Sequence, residues 1–131
     1  MTSSAAGQST LLRNALVADA VITGATGLAM FLGAGLLASL FGLPDVLLRY
    51  AGLSLIPFAA FVAVMAARDR VSRPAVLAII IANALWVVDS LLLLLTGWVQ
   101  PSLLGYIFVI GQAAIVAGFA EVQHMGLKAV A

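Results

Sequence analysis

Long runs of apolar residues, rather than a regular alternation of apolar and polar positions, dominate the chain. Four runs, at residues 14–41, 46–67, 74–96 and 102–125, each supply the roughly 20 apolar residues that a helix needs to cross a bilayer. The lack of alternation, plainest in the leucines from 91 to 95, disfavours a β-barrel. The pattern therefore predicts four transmembrane α-helices joined by short connections.

Proline and glycine residues mark the ends of the predicted helices. Pro44, Pro74 and Pro101 stand where the second, third and fourth helices begin, a position at which the missing proline N–H breaks no intrahelical hydrogen bond. Gly42 and Gly97 stand where the first and third helices end. Because the connections are short, consecutive helices are expected to be antiparallel neighbours. We predict an all-α, integral membrane, up-down-up-down four-helix bundle.

The composition indicates that lipid surrounds this bundle. Of the 131 residues, 64% are hydrophobic and 8% are charged, whereas soluble domains are about 45–50% apolar and about 25% charged. We assign residues 14–126 to the transmembrane domain and residues 1–13, rich in serine, alanine and glycine, to a flexible N-terminal segment. A net charge of +1 argues against nucleic-acid binding. With no cysteine and one histidine, no metal site and no cofactor are expected.

The basic residues are distributed unequally between the two sides of the predicted bundle. Only Arg49 lies towards one side. The other five lie towards the opposite side: Arg13, Arg68, Arg70, Arg73 and Lys128. By the positive-inside rule, this distribution predicts a multi-pass inner-membrane protein with both termini in the cytoplasm.

A charge in the bilayer centre costs at least ~2.5–3.5 kcal/mol, so a carboxylate within a predicted span needs a partner, an aqueous cavity or a shallow depth. Two carboxylates near this basic side are therefore candidates for function. Asp19 lies in the first predicted helix, with Thr23 four residues later on the same face. Asp19 is either a cation- or proton-binding group or a boundary carboxylate paired with Arg13 or another arginine on the cytoplasmic side. Glu121 lies at comparable depth in the fourth helix, where it either forms a close carboxylate pair with Asp19 or marks the interfacial end of its helix.

A second polar group lies deeper in the predicted bundle. Asp89 is in the third helix, and Asn83 and Trp86 share its face. Arg49 lies at a similar depth in the second helix, which predicts an Arg49–Asp89 ion pair; the alternative is a ligand or proton site at Asp89. Gln112, near the middle of the fourth helix, either joins helices by hydrogen bonds or belongs to the same site.

No catalytic motif is present, so we do not expect an enzyme. The leading hypothesis is a protein that binds or transports a small solute, cation or proton through intramembrane carboxylates. One alternative is a non-catalytic accessory or scaffold subunit of a larger membrane complex, and another is a lipid- or hydrophobic-ligand-binding protein. A homo-oligomer or larger complex is expected, with membrane lipids around it. The candidate ligand- or proton-binding residues are Asp19, Asp89, Glu121, Asn83, Trp86 and Gln112.

Glycines in the apolar runs predict close packing between helices. Gly111 and Gly118 are seven residues apart and so share one face of the fourth helix. We expect them to pack against the first helix or to form the contact between copies of the chain.

Overall fold

The structure is a computed structural model that describes residues 10–129. These residues form five helices: α1 (Thr10–Leu32), α2 (Ala34–Phe41), α3 (Asp45–Ala67), α4 (Arg73–Leu95) and α5 (Leu103–Ala129). All except α2 are long and apolar enough to cross a membrane. The predicted all-α fold with four spanning helices is therefore confirmed, as is the multi-pass character of the chain.

The first predicted span is divided at Gly33 into α1 and α2. Helix α1 begins at Thr10 rather than at residue 14, so the last part of the predicted flexible segment 1–13 is helical; residues 1–9 lie outside the described residues. With 23 residues at about 1.5 Å each, α1 is about 34 Å long and crosses the hydrocarbon without help from α2. The short helix α2 therefore extends the first span beyond the length that the bilayer requires.

The spanning helices are antiparallel, and two of the three consecutive pairs pack closely together, as predicted. The Arg13 guanidinium donates to the Arg68 carbonyl (3.0 Å), so α1 begins where α3 ends. Arg73 donates to the Leu127 carbonyl (3.4 Å), so α4 begins where α5 ends. Helix α1 packs extensively against α3 and also against α5, and α4 packs against α5. The consecutive helices α3 and α4 were expected to be neighbours, yet they barely touch.

Two glycines allow the backbones of α1 and α3 to touch. A Cβ atom on Gly52 would lie 2.6 Å from the Gly27 carbonyl oxygen and 2.7 Å from the Phe31 backbone nitrogen. A Cβ on Gly27 would in turn lie 3.0 Å from the Gly52 carbonyl oxygen. Any side chain at Gly52 would thus displace the α1 backbone, which explains why glycine stands here.

The glycines of α5 are used differently from the prediction. A Cβ on Gly111 or Gly118 would meet no atom within 4 Å, so these two residues do not mediate the contact between the first and last helices. That contact is made instead at the two ends of α5. A Cβ on Gly105 would collide with the Phe41 carbonyl oxygen, and at the end of the bundle that carries most of the arginines (the basic end) a Cβ on Gly126 would lie 2.8 Å from the Leu12 Cα. Much of the small-residue face of α5 is therefore left uncovered.

Apolar cores close both ends of the bundle. Around the basic end, the core consists of Leu12, Leu16, Val62, Ala66, Val76, Ile79 and Leu127. At the opposite end it consists of Met30, Ala34, Leu43, Leu48, Val99 and Val109. The middle of the bundle, between these two cores, holds most of the buried polar side chains.

The Gly52 contact predicts a difference between two glycine-to-alanine substitutions. Gly52→Ala is expected to lower the free energy of unfolding by about 1–3 kcal/mol, because the added methyl group collides with backbone atoms. Gly111→Ala, which meets open space, is expected to keep or raise stability, since alanine favours a helix by about 0.5–1 kcal/mol over glycine. Thermal unfolding in an uncharged detergent, followed by circular dichroism, measures both. Equal loss of stability in the two variants would contradict the proposed role of Gly52.

Candidate functional site

Asp19 is completely buried and is the centre of a polar cluster formed by three helices. Its Oδ1 accepts a hydrogen bond from the Thr23 hydroxyl (2.7 Å), one turn along α1. Its Oδ2 accepts one from Asn83 Nδ2 on α4 (2.9 Å) and one from Gln123 Nε2 on α5 (2.7 Å). We call these four residues the Asp19 cluster. The cluster joins α1, α4 and α5 on the side of the basic-end apolar core that faces the middle of the bundle.

Hydrogen-bond donors, rather than a basic side chain, surround the Asp19 carboxylate. Within residues 10–129, no arginine or lysine forms an ion pair with it. Arg13, one of its predicted partners, donates to the Arg68 carbonyl instead. A buried carboxylate is tolerated only when its oxygens are satisfied, and three donors meet that demand here.

Gln123 is a member of this cluster that the sequence analysis did not select, whereas the predicted Glu121 is absent from it. Gln123 is fully buried and Glu121 is exposed. Two residues along a helix are about 200° apart, so these neighbours lie on nearly opposite sides of α5. The predicted Asp19–Glu121 pair is therefore not formed. His124 is also exposed, and within the described residues no three His, Cys, Asp or Glu side chains could hold a metal ion.

A second hydrogen-bonded group joins α4 and α5 nearer the opposite end. Trp86 Nε1 donates to Gln112 Oε1 (2.5 Å). Gln112 Nε2 donates to the Ser90 hydroxyl (3.0 Å) and to the Val109 carbonyl (2.9 Å). The Ser90 hydroxyl donates to the Trp86 carbonyl (2.7 Å). We call the contact between the two larger side chains the Trp86–Gln112 bridge.

A cavity of about 250 Å³ lies between the Asp19 cluster and this bridge, and all four spanning helices line it. We call it the Asn83 cavity. Asn83 Nδ2 donates to both Asp19 and Gln123 Oε1 (3.1 Å), so the amide nitrogen is fully used. The Asn83 Oδ1 accepts no hydrogen bond from residues 10–129, although Asn83 is only 3% exposed. The Thr26 hydroxyl on the same wall also has no hydrogen-bond partner in this part of the chain.

A second cavity of about 280 Å³ lies on the other side of the bridge, and Trp86 and Gln112 line both cavities. We call it the Asp89 cavity, because Asp89 is the one charged residue on its wall. Asp89 is exposed and forms no hydrogen bond or ion pair within residues 10–129. The predicted Arg49–Asp89 pair is not formed, because the Arg49 guanidinium lies 3.9 Å from Asp45, one turn away on its own helix.

The three donors around Asp19 predict a large effect of removing its charge. In Asp19→Asn, the amide oxygen can still accept hydrogen bonds from Asn83 and Gln123, but without the negative charge that strengthens them, so stability is expected to fall by about 1–3 kcal/mol. Asp45→Asn changes an exposed carboxylate and is expected to alter stability by less than about 0.5 kcal/mol. Thermal unfolding in an uncharged detergent compares the two variants. An Asp19→Asn protein as stable as Asp45→Asn would show that the cluster contributes little.

Comparison with known proteins identifies no relative of this chain. No family model matches the chain, and no curated protein or solved structure is significantly similar to it. Its function is therefore inferred from its own cavities, hydrogen bonds and charges.

Proposed function

We propose that this chain binds a small, largely apolar molecule with a hydrogen-bond donor in the Asn83 cavity, within the membrane. One observation carries the proposal: the Asn83 Oδ1 is buried on the cavity wall and has no donor within residues 10–129. A buried acceptor without a donor costs about 1–3 kcal/mol. A ligand O–H or N–H group at this oxygen recovers that cost and so gains affinity.

The size and lining of the cavity support a small ligand. An engineered apolar cavity of about 150 Å³ admits benzene, whereas the pockets that bind drug-sized ligands measure roughly 300–1,000 Å³. The Asn83 cavity, at about 250 Å³, lies between these sizes. Its wall is largely aliphatic and aromatic, with Leu55, Phe58, Ile115 and Val116 among the residues that line it. A molecule of one or two rings with a hydroxyl or N–H group matches this lining.

Asp19 is a positioning residue in this proposal, because it acts on the ligand through Asn83. By accepting a hydrogen bond from Asn83 Nδ2, it holds the amide nitrogen away from the ligand and leaves the amide oxygen for it. The Gln123 amide oxygen accepts from the same nitrogen and supports this orientation. The intramembrane carboxylate is thus connected to binding without touching the bound molecule.

The proposal includes the orientation of the protein and the route between its cavities. We place the protein in the inner membrane with its basic end on the cytoplasmic side, since Arg13, Arg68 and Arg73 meet at that end. Trp86 and Gln112 line both cavities. If the protein transports its ligand, movement between the two cavities requires the Trp86–Gln112 bridge to open.

A second candidate function is that of an accessory subunit in a larger membrane complex. The observation that favours it is the open space beside Gly111 and Gly118 on α5, where another helix has room to approach closely. Mass measurement after extraction in a mild detergent distinguishes the possibilities. A stoichiometric foreign chain supports the accessory role, and a multiple of the mass of this chain supports a homo-oligomer.

Ligand binding is tested by quenching of Trp86 fluorescence. In a Trp98→Phe background, Trp86 is the single tryptophan and lines the cavity. The probe is 4-bromophenol, whose bromine quenches on contact, compared with 4-bromoanisole, which lacks the O–H donor. We expect saturable quenching by the phenol and binding of the ether that is about three- to tenfold weaker, as one lost hydrogen bond implies. Thr26→Val removes a hydroxyl on the cavity wall that can donate to the phenol oxygen, so it is expected to weaken phenol binding within the same range.

Two matched substitutions on α4 serve as controls. Ala82→Leu fills the Asn83 cavity and is expected to abolish saturable quenching, whereas Ala84→Leu adds the same side chain at an exposed position and is expected to preserve it. A Trp86→Phe protein, which keeps the exposed Trp98, measures quenching by probe dissolved in the detergent. Quenching that does not saturate, or that survives Ala82→Leu, would reject the proposed function.

A further inference from the structure

We infer that the Asp89 cavity is a second binding site, and that it takes a small apolar molecule with an ammonium group. This inference goes beyond the proposed function, because it concerns a different cavity and a different ligand charge. It stands on three features of the described residues. The Asp89 carboxylate has no partner, the basic residues either bond to other groups or lie at the opposite end of the bundle, and aromatic rings lie on the same cavity wall.

The Asp89 carboxylate lies at a depth where an uncompensated charge is unfavourable. Asp89 is six residues before Leu95, the last residue of α4, and therefore about 9 Å inside the end of the helix. Lipid, rather than water, surrounds most of a helix at this depth, and carboxylates there need a partner or an aqueous cavity. Asp89 lines a cavity, and no residue between 10 and 129 supplies it with a hydrogen bond or a cation.

No basic side chain of the described chain is placed to neutralise Asp89. Arg49 is next to Asp45 on α3, with their charged groups 3.9 Å apart. The remaining basic residues belong to the basic end of the bundle, where Arg13 and Arg73 bond to backbone carbonyls. Charge complementarity therefore favours a ligand that brings its own positive charge.

The other residues that line the cavity favour an organic cation over a metal ion. Trp86 and Phe108 are both on the wall, and aromatic faces attract ammonium groups within about 6 Å. The indole N–H of Trp86 is already used by Gln112, which leaves its ring for contact with a ligand. Aliphatic side chains such as Leu47 supply much of the remaining wall. Calcium and magnesium need about six oxygen ligands, which this lining does not offer.

The inference is tested with a cation and a neutral analogue of the same shape. The probes are 2-(4-bromophenyl)ethylammonium and 2-(4-bromophenyl)ethanol, and quenching of Trp86 in the Trp98→Phe background is the readout. We expect Asp89→Asn to raise the Kd of the ammonium probe about tenfold or more, while the Kd of the alcohol stays within about twofold. Asp89→Glu, which keeps the charge, is expected to retain ammonium binding.

Matched variants assign the binding to this cavity. Ala51→Leu fills the Asp89 cavity and is expected to abolish ammonium binding, whereas Ala60→Leu adds the same side chain to an exposed position of α3 and is expected to have no effect. Asp45→Asn controls for attraction by any exposed carboxylate and is expected to leave the Kd unchanged. Circular dichroism verifies that each variant is folded.

Three results would overturn the inference. They are equal Kd values for the ammonium and the alcohol when Ala82→Leu fills the Asn83 cavity, equal weakening by Asp45→Asn and Asp89→Asn, and loss of ammonium binding in Ala82→Leu. The last result would place the cation in the Asn83 cavity. Binding of 4-bromophenol is expected to be insensitive to Asp89→Asn, so failure of this inference and failure of the proposed function are observed separately.

Discussion

The complete burial of the Asp19 carboxylate is the constraint on which the arrangement of this bundle depends. In a chain whose helices are mostly apolar, few side chains require α1, α4 and α5 to meet at one particular rotation. The carboxylate does, because its two oxygens need the donors of Thr23, Asn83 and Gln123 at the same time. The same requirement orients the Asn83 amide, and so the polar chemistry of the neighbouring cavity follows from the burial of one charged group.

The bundle is organised in layers along the membrane normal. Apolar cores close its two ends, and the polar groups and cavities lie between them. Helix α3 belongs to this assembly mainly through its glycine-mediated contact with α1, while its packing against α4 is slight. The cavities thus lie between two pairs of helices, α1 with α3 and α4 with α5, that are each well packed internally. This division explains how the four spanning helices of residues 10–129 leave space between them.

The number of spanning helices was predictable because the bilayer imposes a length and a composition that the four apolar runs satisfy. Their packing was not, since helices that are apolar all round carry no periodic signal of which face points inward. Gln123 was therefore missed in favour of the exposed Glu121, and the partners of Asp19 are 64 and 104 residues away along the chain. The Arg49–Asp89 pair was inferred from similar depth alone, although Asp45, four residues before Arg49, offered a local partner.

The separation of Asp19 from its partners along the chain has a consequence for biogenesis. Synthesis proceeds from the N-terminus, so α1 is made before α4 and α5. During that interval Thr23 is the one hydrogen-bond donor to Asp19 already synthesised, and Asn83 and Gln123 follow later. The first segment therefore enters the translocation machinery with an acidic group whose interhelical partners have yet to be translated. We therefore expect stable release of α1 into lipid to depend on the later arrival of α4 and α5.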